Sequence, residues 1–402
     1  MARTRRPGEA PALVIDAAPA YEFLMSVAAV AEPQDPETLE VGIEWLEAVR
    51  ARAGEPLLDR IRAVSSGDHD MWINLATLVY DSSPPRDVAG FLDRLRETDA
   101  DEIRLHTIGF YSREIQRMTP PDVIRRAFAG DREAAEEFLR TSYPDWEPWQ
   151  AFLREQLQTP SAQVKAEMLD VLQTWADVVW SHEEARILPI LQRDADEKRD
   201  LQRRMAFERF IETATNGVEW VPRPHICTVV LVPSFVFRPW VSTAELGDTL
   251  IHIYPVSDES VSAETDAPPL RLVRLSKALG DEKRLRILRA LAESDRTLME
   301  LAEQFGQAKT SMHHHMVILR SAGLVSVGAG KRYRLRQETL PDVGELLSGY
   351  LGAAIGPSAA PGPAASPAED GRASGTRGGN GNGAAHRPRR RTRPRAGARS
   401  ER

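Results

Sequence analysis

Apolar residues recur at helical spacing over 20–31, 37–66, 69–80, 85–113, 120–157 and 161–215, so most of the first 225 or so residues are predicted to be helical. Pro33, Pro36, Pro84, Pro85, Pro120, Pro121, Pro144 and Pro160 punctuate these stretches, and Pro189 predicts a kink or break in the longest. The texture changes between Gly217 and Val256. There the β-branched and aromatic runs Ile226–Val232, Phe235–Phe237 and Thr249–Tyr254 are broken by Pro233, Pro239 and Gly247, which predicts a small sheet at 217–256. Residues 17–256 therefore read as a helical domain with a small β element. Residues 257–269 (SDESVSAETDAPP) are polar, end in two prolines and read as a linker. Residues 356–402 are Pro, Ala, Gly, Ser and Arg with almost no large apolar side chain. That composition cannot offset the entropy of ordering, so a disordered tail is expected, as it is for residues 1–16.

Within 270–355 the helical period returns in shorter pieces. Leu285, Leu288 and Leu291, with Ala292 beside them, predict one core-facing stripe. Thr297 and Glu300 form the pattern of a capping box that opens a second helix, with Leu298, Leu301, Ala302 and Phe305 on its apolar face. Gly306 ends it. Thr310 or Ser311 is expected to start a third helix carrying Met312, His315, Met316 and Leu319 on one side, with Gly323 as the left-handed residue that closes it. The β-prone runs Leu324–Val327 and Tyr333–Leu335 then flank Gly328, Gly330, Lys331 and Arg332, a hairpin with a cationic tip. Helix, turn, helix and basic hairpin in this order make a winged helix-turn-helix. The fold class is accordingly mainly α, with an α+β winged helix-turn-helix at the C-terminal end.

The residues from Leu279 to Leu288 (LGDEKRLRIL) and from His315 to Val325 (HMVILRSAGLV) match signatures of one family. On them the segment resembles the winged-helix domain of the ArsR-like bacterial repressors. The resemblance implies binding to a duplex DNA operator as a homodimer, and repression by competition with transcription initiation. It also implies dimer contacts from the helices at 270–279 and 340–351, whose apolar residues are Leu272, Leu275, Leu346, Leu347 and Leu351. Metal sensing does not carry over. Where metal-sensing members place cysteines this chain has Leu298, Met299, Glu300, Leu301 and Ala302, and its last helix offers Asp342 and Glu345 but no histidine.

The triplet His313, His314, His315 is not read as a metal site, because successive helical residues point about 100° apart and cannot converge on one ion. His315 falls at the family position that packs inward. Lys309, Thr310, Ser311, His313 and His314 fall where the recognition helix meets the groove, and Lys331, Arg332 and Tyr333 form the wing's contacts. Charge partition agrees. The chain carries −7 in all, divided as +5 over 268–355, +7 over 356–402 and −19 over 1–267. A region that acidic repels DNA, so phosphate contact belongs to the C-terminal third. The cluster Arg387, Arg389, Arg390, Arg391, Arg393 and Arg395 is either a further non-specific phosphate contact or a solubilising tail.

A chain of 402 residues is long enough for two domains and a tail. The apolar stretch 17–31 contains Glu22 and is too short to span a bilayer, and a single cysteine, Cys227, fits a reducing cytoplasm as a small buried hydrophobe. No Gly-rich phosphate loop, nucleophile elbow or zinc-protease motif is present, and His182, Glu183, Glu184 lacks a second histidine, so no enzyme, cofactor or metal is expected. Trp175, Trp180, Trp220, Phe235, Phe237 and Trp240 are either core or the lining of a ligand pocket. The reading is a cytoplasmic, homodimeric transcriptional repressor whose large N-terminal domain senses a small organic molecule or a partner protein. A catalytic N-terminal domain, or a scaffold whose winged helix docks protein, stays open as the alternative.

Overall fold

Four apolar residues near the start of the chain, Ala12–Ile15 (β1), lie parallel to β2 (Thr228–Ser234), with Ala12 opposite Thr228 and Ile15 opposite Leu231. Strand β2 is in turn parallel to β4 (Thr249–Pro255), while β3 (Ser242–Leu246) runs antiparallel to β4 across the turn at Gly247 and Asp248, giving the order β1-β2-β4-β3. The computed structural model describes residues 10–31, 39–65, 70–143, 147–261, 268, 270–340 and 342–355. The Arg-rich tail lies outside them. Residues 12–15 correct the expectation of a disordered stretch over 1–16. ALVI is too short to display a period, and its strand exists only through pairing with β2, far along the chain.

The near-continuous apolar run of β2 is what a parallel strand covered on both faces requires. On one face Val230, Val232, Ile251 and Ile253 join Phe23, Trp72, Trp175 and Trp180 in the main helical core. On the other, Val229, Leu231, Leu250 and Tyr254 pack on Ala195, Phe210, Ile211 and Ala214, from the helices Ser181–Gln202 and Phe207–Ala214. A third apolar cluster, including Phe110, Ile124, Phe138 and Trp149, is built by the helices 121–128, 132–142 and 147–158. Pro189 does not split its helix. Ser181–Gln202 runs through it, and the irregularity falls upstream, as a π-helical turn at Ala176–Trp180.

The predicted linker is partly structured. Ser257 N–H donates to Asp194 Oδ1 (2.6 Å), and Asp258–Val261 forms a helical turn whose Ser260 is buried. Asp258 also receives Arg238 (2.5 Å) and Arg274 (2.6 Å), and Glu40 receives the same two arginines at 3.2 and 2.6 Å. This four-residue ion network ties the start of the winged helix to the helical domain, and the described residues form one compact unit. Residues 262–267 and 269 lie outside the described residues.

At the carboxyl end of β2 the fully buried Glu22 accepts the N–H groups of Phe235 (2.9 Å) and Val236 (2.7 Å), while its second oxygen has no partner. Burial pushes this carboxyl up to about 7. A carboxyl whose folded pKa is raised binds more protons folded than unfolded, so its contribution is full at low pH and is lost as pH rises from the unfolded value near 4.5 through 7. Glu22→Gln keeps an acceptor for both N–H groups and has no proton to lose. Relative to wild type the variant should gain roughly 2 to 3 kcal/mol in stability between pH 5 and pH 8. Urea unfolding at both pH values checks this; a parallel pH response in the two proteins would contradict it.

Candidate nucleic-acid interface

The support helix Glu282–Glu293 is capped by Asp281, whose carboxylate accepts Arg284 N–H (3.0 Å) and is held below the usual carboxylate range by that bond. Its buried residues are Ile287, Leu288, Ala290 and Leu291. Leu285 and Ala292, expected in the stripe, are exposed, Leu285 to 47%. Three-residue steps each lag a full turn by about 60°, so Leu285 and Leu291 stand some 120° apart and cannot share one contact. Leu285 and Ala292, seven residues apart, fall together on the outer flank.

After β5 (Arg296–Thr297) the capping box is in place: Thr297 Oγ1 accepts Glu300 N–H (3.2 Å) and Glu300 accepts Thr297 N–H (2.7 Å). Leu301 and Ala302 are buried, and Leu298 and Phe305 pack against the same core. Gly306 takes the left-handed conformation that ends the helix. The recognition helix, Lys309–Ser321, starts a few residues earlier than expected. Ala308 is its N-cap and no side chain caps it, so Thr310 and Ser311 lie in its first turn instead of before it. Met312, Met316 and Leu319, at i, i+4 and i+7, anchor it in the core. Gly323 closes it with φ near 71°, and Leu324 N–H reaches back to Leu319 O (3.0 Å).

Lys309, Thr310, Ser311 and His313 are exposed, whereas His314 and His315 are half-buried. His315 Nδ1 is enclosed without a partner, and burial holds its imidazole below the ordinary range. The wing is β6 (Val325–Val327) and β7 (Arg332–Leu335), joined through Ala329–Lys331 and completed by β5 in the order β5-β7-β6. Lys331, 85% exposed, and Arg332 stand at its tip. Tyr333 differs from them: its ring packs on the winged-helix core.

The N-terminal domain meets this surface directly. Val327 pairs in parallel with Val218, through Glu219 N–H to Val327 O (3.0 Å) and Val327 N–H to Gly217 O (2.9 Å). Asn216 Nδ2 donates to Ser321 O (3.1 Å) at the end of the recognition helix, and the ring of Trp240 lies 5.4 Å from that of His313. Acidic residues of the N-terminal domain face the wing's cations: Glu114 with Lys331 (3.4 Å), Glu219 with Arg334 (3.2 Å) and Glu212 with Arg336 (3.9 Å). Sequence reasoning missed Arg334 and Arg336, and it took Trp240 for core or pocket lining instead of a contact of the recognition helix. Arginine at 332, 334 and 336 is a period of two along one strand, a signal for one cationic face. Nothing local marks Trp240. Of the other aromatic residues, Trp175, Trp180, Phe235 and Phe237 are core, and Trp220 lines the junction with the wing. Cys227 is half-buried just before β2. Glu183 of the near-miss zinc motif is held structurally by Trp45, Arg52 and Arg186.

Residues 281–327 match the family model of the bacterial regulatory protein, arsR family. No curated protein and no solved structure matches the chain. The match runs from the cap of the support helix to the end of β6, a small part of the whole. With the geometry above it gives the C-terminal region an arsR-type winged helix-turn-helix, the DNA-binding module of transcription regulators. Among the described residues no helix is long and apolar enough to cross a membrane.

Exposed ion pairs of this kind contribute about 0 to 1 kcal/mol, so phosphates can replace the acidic partners of the wing. Lys331→Ala and Arg332→Ala should weaken binding to all duplex sequences alike. Each should lower the slope of log affinity against log salt by about 1, with melting temperature nearly unchanged. Fluorescence anisotropy over a salt series measures it. Unchanged slopes in both variants would remove the wing from the interface.

Proposed function

We propose that this chain is a transcriptional repressor of the cytoplasm that binds a duplex operator as a homodimer and is controlled by its N-terminal domain. Lys309, Thr310, Ser311 and His313 enter the major groove from the exposed start of the recognition helix, while Lys331 and Arg332 grip the flanking backbone. On this reading the N-terminal domain is a sensor and not an enzyme. Its signal is a small organic molecule or a partner protein, since the positions used by metal-sensing relatives hold no thiol.

The observation that carries control is the backbone pairing of Val327 with the 217–219 segment. It makes the wing's position depend on the domain that precedes it. Gly217 has φ near 97°, and a Cβ there would lie 3.2 Å from Val325 O, so Gly217→Ala loosens the junction at a residue remote from the recognition helix's exposed start. Released from Glu114 and Glu219, the wing is freer to meet phosphate. Operator affinity should rise about threefold or more, and the Val327 amide should exchange faster with deuterium. Faster exchange at Val327 with unchanged affinity would sink control through this contact.

The apolar residues left exposed for a dimer differ from the expected set. Leu272 and Leu275 are buried within the protomer and Leu346 packs partly on its core, but Leu340, Leu347, Tyr350 and Leu351 are exposed on and beside the last helix, Asp342–Ile355. Leu347→Glu with Tyr350→Glu should convert a dimer to a monomer in sedimentation equilibrium. A palindromic operator should then be bound at least tenfold more weakly. A wild-type chain that sediments as a monomer and still binds its operator would overturn the dimer.

A further inference from the structure

Met312, Met316 and Leu319 seat the recognition helix in the winged-helix core, whereas His313, Val317 and Ser321, successive residues at a spacing of four, fall on a different flank. Val317 is 4% exposed yet lies outside that core. Ser321 O accepts Asn216 Nδ2–H (3.1 Å) from the N-terminal domain at one end of the flank. At the other end the ring of Trp240, from the same domain, lies 5.4 Å from the His313 ring at 49°. His313 stays exposed, so the indole backs the imidazole without covering it.

Trp240 ends a stiff segment. Glu22 accepts the N–H groups of Phe235 and Val236, Ser234 Oγ accepts Phe237 N–H (3.1 Å), and Phe237 O accepts Trp240 N–H (2.9 Å). Between them Arg238 O accepts Glu40 N–H (2.9 Å), while the buried Arg238 guanidinium is held by Glu40 and Asp258. The indole itself packs on the main helical core. An exposed side chain on a helix has rotamer freedom to lose when it docks, and a fixed aromatic wall beside it removes part of that freedom in advance.

We infer that Trp240 is a positioning residue for base recognition: its indole holds the His313 imidazole in the orientation that meets a base edge, so the N-terminal domain takes part in sequence selection as well as in holding the wing. The inference rests on the repressor reading above, in which His313 enters the major groove. Trp240 touches no base in this role and acts only through His313. A contact that masked the helix would instead lower affinity for every duplex alike, and its removal would raise it. Backing one imidazole changes the cost of ordering that side chain, which is felt only at the base position it reads.

The test uses the full chain and duplexes selected from a random pool. Wild type should prefer one base pair in each half-site that His313→Ala no longer distinguishes. Trp240→Leu keeps apolar bulk on the helical core without a flat ring. It should weaken that same preference about two- to tenfold while sparing the other positions and the slope of log affinity against log salt. Trp240→Phe keeps a smaller ring on the same core and should show the same change in weaker form, which decides the matter should Trp240→Leu not fold. In a His313→Ala background neither substitution should change the preference further, because the indole acts through the imidazole. The His313 ring-proton NMR signal, identified by its loss in His313→Ala, should move in Trp240→Leu and by less in Trp240→Phe. A Trp240 variant that shifts affinity for all duplexes equally, upward as a released mask or downward as a structural defect, overturns the role. So does an effect that persists without His313, or selection left unaltered by His313→Ala. A wild-type chain that binds no duplex fails the repressor reading and the positioning role with it, whereas a chain that selects a sequence but shows one of these outcomes fails the positioning role alone.

Discussion

The placement of the DNA-binding module depends on two backbone hydrogen bonds between residues 217–219 and Val327. Strand β6 is an edge of its three-stranded sheet, so the outer side of Val327 presents an unpaired N–H and C=O that need partners. The chain leaving Phe207–Ala214 supplies them. It turns at Gly217 in a conformation that side chains resist, and it passes so close to β6 that a Cβ would crowd the carbonyl of Val325. The same closeness shapes the other side of the contact, where a Cβ on Gly328 would stand 2.4 Å from Glu219. A wing held by backbone pairing has a defined position, which a contact made only of long charged side chains would not give.

Charge acts on that frame unevenly. Near the linker, Arg238 and Arg274 share Glu40 and Asp258, and Arg238 is only 4% exposed, so breaking the network would strand a buried charge. At the wing, Lys331 and Glu114 are both largely exposed and screened by salt. The ion pairs at the linker end are therefore firm, while those at the wing tip add little to the backbone pairing that holds it. An acidic domain with a net charge of −19 before residue 268 stands beside the wing as a tethered competitor for the cations that a phosphate backbone would attract. Salt weakens both contacts together, so ionic strength alone is a poor switch between them.

Much of this was legible in the sequence because it is local. The capping box at Thr297 and Glu300, the left-handed Gly306 and Gly323 and the cationic hairpin tip each follow from a few adjacent residues, and the helical stretches of the first 225 residues follow from their period. What failed was what depends on distant partners. ALVI at 12–15 becomes a strand only beside β2, Leu285 lost its place because several phases of one helix fit the same leucines, and Leu272 and Leu275 are covered within the protomer instead of by a second copy. Glu219 has no local pattern that ties it to a wing a hundred residues later, nor Trp240 one that ties it to His313 of the recognition helix. The cationic chemistry of the candidate interface was legible, while the contacts that the N-terminal domain makes with it were not.

The two inputs to DNA recognition are separable in this architecture. The exposed apolar residues of Asp342–Ile355 lie on the element that would join two copies, and the spacing of two recognition helices along a duplex is set by how those copies meet. The N-terminal domain instead holds β6 and the wing tip, which in the proposed binding mode would meet phosphate and carry no sequence information. In the proposed function, a signal entering through the N-terminal domain would therefore change how firmly the protein grips any duplex and leave operator choice with the recognition helix. The exception is His313, whose ring meets Trp240 of the N-terminal domain. If His313 reads bases as proposed, a displacement of Trp240 would change selectivity where a displacement of the wing would change only strength.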